Sequence, residues 1–351
     1  MKSCWRRPQV DRRVNSIKPL VITMGCPAGV GPEIILKAVG FRRDWLDHGK
    51  VVVAGDQAIL ERASKVTGIS VPIAEWKPGK PVVLGHLNLL PVTHLDEDEI
   101  PYGSPSFVTG QASFKYVDAA ISLCKGDLCS AIVTAPISKI GLKYANIDFP
   151  GHTEILAAST ETKRFSMMMY GAKLKVVLAT IHSPLRKVAE YISLELILEK
   201  LNLMDEALRR DFAIKKPKIG VAGLNPHAGE SGTIGTEEEE IISPAVRAAR
   251  AKGLEVSGPH PPDTLFFRAV QGEFDAVLCM YHDQGLIPFK LLHFWDGVNV
   301  TIGLPLVRTS VDHGTAYDVA GKGSASPESL VKAAELAFEI VHNRLAYDSS
   351  I

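Results

Sequence analysis

The sequence predicts an α/β protein built as two domains. Three observations predict it. Short apolar runs of strand type alternate with helical stretches from end to end. The 351 residues suit two domains, or one large one, with enough core to fold without staples. Three of the apolar runs place a histidine just past their C-terminal ends, where open α/β sheets bind ligands.

The elements follow in chain order. Residues 1–18 are basic and lack the apolar stretch of a secretory signal, so a disordered extension is expected there. Residues 20–24 form a buried strand, a glycine-rich turn spans 25–31, and a helix starts with Pro32 and Glu33 in its first turn. A second strand covers 50–54, and Asp56 caps a helix over 57–66. Short strands at 71–76 and 88–92 and a helix over 110–124 lead to a strand at 130–134. A helix opens at 150–154, followed by paired apolar runs at 165–170 and 175–180 and a long helix over 194–210. Apolar residues 218–224 end at Asn225-Pro226-His227, and Thr236 followed by glutamates reads as a capping box with a solvated acidic start. Strands are expected at 255–258, 276–281 and 297–302, a turn at Gly285, a polar loop over 306–316 and a last helix over 326–346. These divide into a first domain of 19–136 plus 300–351 and a second of 137–299.

The balance of 39 basic and 39 acidic residues argues against a dedicated nucleic-acid or membrane-surface protein. No apolar run is long enough to span a bilayer. Five scattered cysteines without metal spacing suggest reduced thiols and a cytoplasmic setting.

The chemistry concentrates in a few places. His182, His227 and His282 each follow a strand, and parallel strands would bring the three imidazoles to one edge as a divalent-metal site. His152 and Thr153 open a helix whose amides suit an anion. Arg308 suits a phosphate or carboxylate. Asp312 and His313 read as an acid/base pair or as residues that orient their loop, and Asp283 adjoins His282. Lys290 and Asn299 lie between, suggesting a pocket with a cationic end and a metal end. The loop GCPAGVG at 25–31 sits where a nucleotide loop would, yet it matches neither GxGxxG nor GxxxxGK[ST]. By themselves these residues leave open a metal-dependent protein that uses no nicotinamide.

Five segments occur in one order: MGCPAGVGPE at 24–33, GHTE at 151–154, NPHAGE at 225–230, YHDQG at 281–285 and RTSVDHGT at 308–315. With them the chain resembles the 4-hydroxythreonine-4-phosphate dehydrogenase family over residues 19–346. The resemblance implies a two-domain α/β/α fold of the isocitrate/isopropylmalate dehydrogenase type, with the active site in the interdomain cleft and completed by a homodimer. It implies His182, His227 and His282 as metal ligands, and His152, Thr153, Lys290, Asn299 and Arg308 as substrate contacts. The implied cofactors are NAD (or NADP) and a divalent metal: zinc, magnesium or cobalt. The implied reaction is oxidation and decarboxylation of 4-phosphohydroxy-L-threonine to 3-amino-2-oxopropyl phosphate in pyridoxal phosphate biosynthesis. Asp283, Asp312 and His313 are the candidates to take the hydroxyl proton. Relatives within the resemblance act on 4-phosphothreonate or 4-phosphoerythronate. One position departs: Cys26 stands where the family's first loop carries an acid.

Overall fold

A computed structural model describes residues 18–350. Apart from residue 18, the expected N-terminal extension lies outside the described residues. The fold is mixed α/β, and one sheet of twelve strands runs through it. The strands are β1 (Leu20–Thr23), β2 (Val51–Gly55), β3 (Ile73–Glu75), β4 (Leu87–Pro91), β5 (Ile132–Thr134) and β6 (Ser166–Tyr170). They continue as β7 (Lys175–Leu178), β8 (Lys218–Ala222), β9 (Glu255–His260), β10 (Ala276–Cys279), β11 (Val298–Ile302) and β12 (Arg308–Val311). Their spatial order is β3-β4-β2-β1-β5-β12-β11-β6-β7-β10-β8-β9.

The sheet contains two parallel runs. β3, β4, β2, β1, β5 and β12 point one way. β7, β10, β8 and β9 point the other way. The reversal is made by β11 and β6, antiparallel to each other and to their outer neighbours. β1, β2, β5 and β10 are buried at every residue, as parallel strands covered on both faces must be. That is why they read as unbroken apolar runs.

β7, β10 and β8 are adjacent and parallel. Their C-terminal ends therefore share one edge, the arrangement the strand-end histidines require.

Three local expectations are corrected. Residues 308–311 form a central strand rather than part of a loop. Its polar residues concealed it: Arg308 and Ser310 serve a cavity, and Thr309 donates to the Ala333 carbonyl. Gly285 does not turn the chain: it lies inside a helix over His282–His293. A Cβ there would stand 2.9 Å from Leu178 Cδ2 and 3.0 Å from Cys279 Sγ, so glycine lets the helix lie on β7 and β10. Finally, Glu238 is not a solvated residue of a capping box. It is buried at the start of a π-helical turn, Glu238–Ile242.

The helix His282–His293 is docked by its own side chains. Gln284 Oε1 accepts from the Met280 amide at 2.7 Å, and its Nε2 donates to the Gly223 carbonyl at 2.6 Å. Phe289 is fully buried beneath it, worth roughly 2–3 kcal/mol. The helix that presents His282 is thus seated on the chain just past the ends of β10 and β8.

Candidate active site

A cavity of about 420 Å³ opens beside the middle of the sheet. β5, β12 and β11 supply Thr134, Arg308, Ser310 and Asn299 to its wall. The helix His152–Ser159 brings His152, Thr153 and Glu154 to it, with Gly151 at its N-cap. His182 and His313 complete the group. Four of the five expected substrate contacts therefore meet in one place.

Arg308 dominates the electrostatics. It is only 3 % exposed. Its guanidinium donates to Thr301 Oγ1 at 3.0 Å and Thr134 Oγ1 at 2.8 Å, while Nε has no partner. No carboxylate pairs with it among the described residues. Burial holds its pKa down to about 10, opposed by the charge of Glu154. A buried cation without an anion is costly unless a ligand supplies one. His152 Nε2 and Asn299 Oδ1 are also buried and unpartnered. Burial, then the charge of Arg308, pushes the His152 pKa well below its ordinary value. The neutral imidazole can share a phosphate's hydrogen bonds with Arg308.

Sequence reasoning missed Lys139, Lys163 and Lys200, which also line this cavity. The strand-end rule could have found Lys139, five residues beyond β5. Lys163 and Lys200 lie in a turn and a helix of ordinary polarity, and only the folded chain brings them here.

The three strand-end histidines are not all together. His182 and His282 face each other with ring centroids 5.9 Å apart. His282 Nδ1 donates to Asp283 Oδ1 at 2.7 Å, which leaves Nε2 free to ligate. Burial lowers the His182 pKa, helped by the charges of Lys139 and His282; the neutral imidazole is the metal-binding form. This pair fits two ligand positions of a divalent ion. His227 stands apart, in a recess lined by Asn225, Pro262, Asp263 and Tyr281. Among the described residues no three His, Cys, Asp or Glu side chains lie close enough to hold a metal.

His227 begins a left-handed turn. His227, Ala228, Gly229, Glu230, Ser231 and Gly232 all have φ between 43° and 81°. Each non-glycine residue there costs about 1–2 kcal/mol.

Of the remaining expected residues, Lys290, Asp312 and Asp283 are not in the cavity's lining, whereas His313 is. Lys290 pairs with the Asp312 carboxylate and donates to the Asp312 carbonyl at 3.1 Å. Burial raises the Asp312 pKa and Lys290 opposes the rise. His313 Nδ1 contacts the Gly314 carbonyl at 2.9 Å while its Nε2 has no partner. Asp283 is exposed and engaged with His282.

The loop 25–31 is not built as a phosphate cradle. It is wholly buried. The Cys26 amide donates to Pro136 O at 2.8 Å and the Val30 amide to Thr315 O at 3.1 Å. A Cβ at Gly25 would stand 2.4 Å from Pro136 O, so this glycine serves backbone packing. Cys26 Sγ lies 3.3 Å from Tyr317 Oη, and burial pushes its thiol pKa up. Asp56 caps its helix as expected and also accepts from Thr93 Oγ1 and the Leu95 amide, both at 2.8 Å.

Residues 47–337 match the family described as pyridoxal phosphate biosynthetic protein PdxA. The chain is 47% identical over 329 residues to a 4-hydroxythreonine-4-phosphate dehydrogenase of Desulforapulum autotrophicum, covering 91% of this chain and 95% of that one. It is 42% identical over 327 residues to a D-threonate 4-phosphate dehydrogenase of Salmonella typhimurium, covering 92% and 99%. The crystal structure of a 4-hydroxythreonine-4-phosphate dehydrogenase from Klebsiella pneumoniae superposes with a TM-score of 0.83 at 41% identity, covering 93% of this chain and 98% of that one.

Proposed function

The chain belongs to the family of the pyridoxal phosphate biosynthetic protein PdxA, and from that premise we propose that it oxidises and decarboxylates 4-phosphohydroxy-L-threonine to 3-amino-2-oxopropyl phosphate. The observation that carries this reading is Arg308: a buried, unpaired guanidinium beside unpartnered atoms of His152 and Asn299. Such a site asks for a small phosphorylated ligand.

Arg308, His152 and Thr153 hold the phosphate, and Asn299 accepts from a donor on the substrate's polar middle. His182, His227 and His282 would hold a divalent ion (zinc, magnesium or cobalt), which acidifies a hydroxyl and polarises the carbonyl that replaces it. NAD or NADP serves as hydride acceptor. In the reaction the carbinol C–H bond yields a hydride and the O–H bond a proton. Asp312, held by Lys290 and raised in pKa by burial, takes that proton with His313. The 3-keto acid then loses carbon dioxide, and a proton replaces the carboxylate on carbon. Asp283 orients His282.

The site is shared between two copies of the chain. Two observations support this. Among the described residues of one chain, no three His, Cys, Asp or Glu side chains, His182, His227 and His282 included, lie close enough to hold a metal. The helix carrying His282 and Lys290 also exposes Ile287 and Leu291, followed by Phe294 and Trp295, with Leu291 82% exposed. An apolar face of that kind is covered in an assembly. The cysteines among the described residues are free, which supports a reducing, cytoplasmic setting.

A second reading replaces the substrate with a phosphorylated four-carbon sugar acid, 4-phosphothreonate or 4-phosphoerythronate. It is favoured by the 42% identity to the D-threonate 4-phosphate dehydrogenase. The residues that grip phosphate serve both. NADH formation with the three substrates in parallel, divalent metal supplied, decides between them. Preference for the amino compound supports the first reading. Turnover of a sugar acid alone replaces it with the second.

A further inference from the structure

We propose that Glu238 is a positioning residue that holds the strained turn carrying His227. This rests on the reading of His227 as a metal ligand. Glu238 is 2% exposed. Its Oε1 accepts from the Leu224 and Asn225 amides, both at 2.7 Å, and its Oε2 from Asn225 Nδ2 at 2.9 Å. The same Asn225 amide donates to Glu237 Oε2 at 2.8 Å. Two glutamates thus grip the chain where it leaves β8, two residues before His227.

The turn they hold does not keep its shape by local preference. Six consecutive left-handed residues persist only where surrounding contacts impose them. The glycines report the closeness of the grip: a Cβ at Gly229 would stand 2.7 Å from Glu238 Oε2, and one at Gly235 2.5 Å from Asn225 Nδ2. Glu238 itself sits in a π-helical turn, a distortion found often at functional sites. In Glu238→Gln the amide oxygen can serve only one side: with it on the Leu224 and Asn225 N–H groups, its own N–H meets the N–H of Asn225 Nδ2, so the Asn225 grip on the turn is released while the volume is kept.

The test titrates cobalt(II) alone into the full chain and reads its visible spectrum, with thermal melting as the check on folding. Glu238→Gln should weaken cobalt binding by about 10- to 100-fold, the usual effect of removing a group that orients a ligand. It should also alter the spectrum of the bound ion. In a His227→Ala background the same substitution should cause no further loss. Asn225→Ala, which keeps both backbone donors, should weaken binding in the same direction by less, and serves if Glu238→Gln does not fold. Unchanged cobalt affinity in Glu238→Gln overturns the proposal, as does an equal loss with and without His227. If His227→Ala itself binds cobalt like the parent, the reading of His227 as a ligand fails instead.

Discussion

At the residue scale, Arg308 shows how a site is recognised before its ligand is seen. A buried guanidinium bonded only to two threonine hydroxyls is held there at the expense of stability. Arg308→Met should therefore melt no lower than the parent while KM for a phosphorylated substrate rises roughly 100-fold, about 3 kcal/mol. Calorimetry and steady-state kinetics check the two halves separately. His152 contributes to the pH dependence of stability. Its folded pKa lies below the unfolded value, so at acid pH the unfolded chain binds the extra proton. Stability should fall as pH drops below 6.5, by up to about 1.4 kcal/mol per pH unit for this group. Urea midpoints of His152→Gln should fall less steeply over that range. His152 and the three histidines were legible as residue types at a helix start and at strand ends, and Arg308 as a cation in a polar stretch read as a loop. Lys163 and Lys200 were not, because nothing local marks a lysine that faces a cavity.

At the element scale, the helix His282–His293 joins packing to chemistry. It begins at a proposed metal ligand, carries Lys290 and lies on β7 and β10 through Gly285. Gly285→Ala would force a methyl against Leu178 and Cys279. Overpacking of this kind costs about 1–3 kcal/mol, and the lifted helix should also separate His282 from His182. Urea denaturation and cobalt titration should show both losses, and a variant with parental stability would contradict the packing argument. This helix was misread as a turn because Gly285 and Pro288 are both helix breakers by propensity. Tertiary contact overrides them: the glycine fits the sheet, and Gln284 anchors the first turn on neighbouring backbone. β12 was misread for the complementary reason, that a strand facing a polar cavity loses its apolar pattern.

At the scale of the whole molecule, the open question is how His227 meets its two counterparts. If two copies share each site, His227→Ala and His282→Ala chains, each inactive, should recover about a quarter of parental activity after mixed dissociation and reassembly. Reassembled mixtures that stay inactive would place all three ligands in one chain. The sequence by itself determined the α/β class, most strand and helix positions, and the residues proposed for the site. It could do so because burial on both faces and strand-end placement leave marks within a few neighbouring residues. Only the tertiary structure decided that β11 and β6 reverse the sheet between its two parallel runs, that Arg308 is buried with no carboxylate paired to it among the described residues, and that Glu238 is buried against the His227 turn. Those outcomes depend on contacts between segments distant along the chain, for which local composition carries no signal.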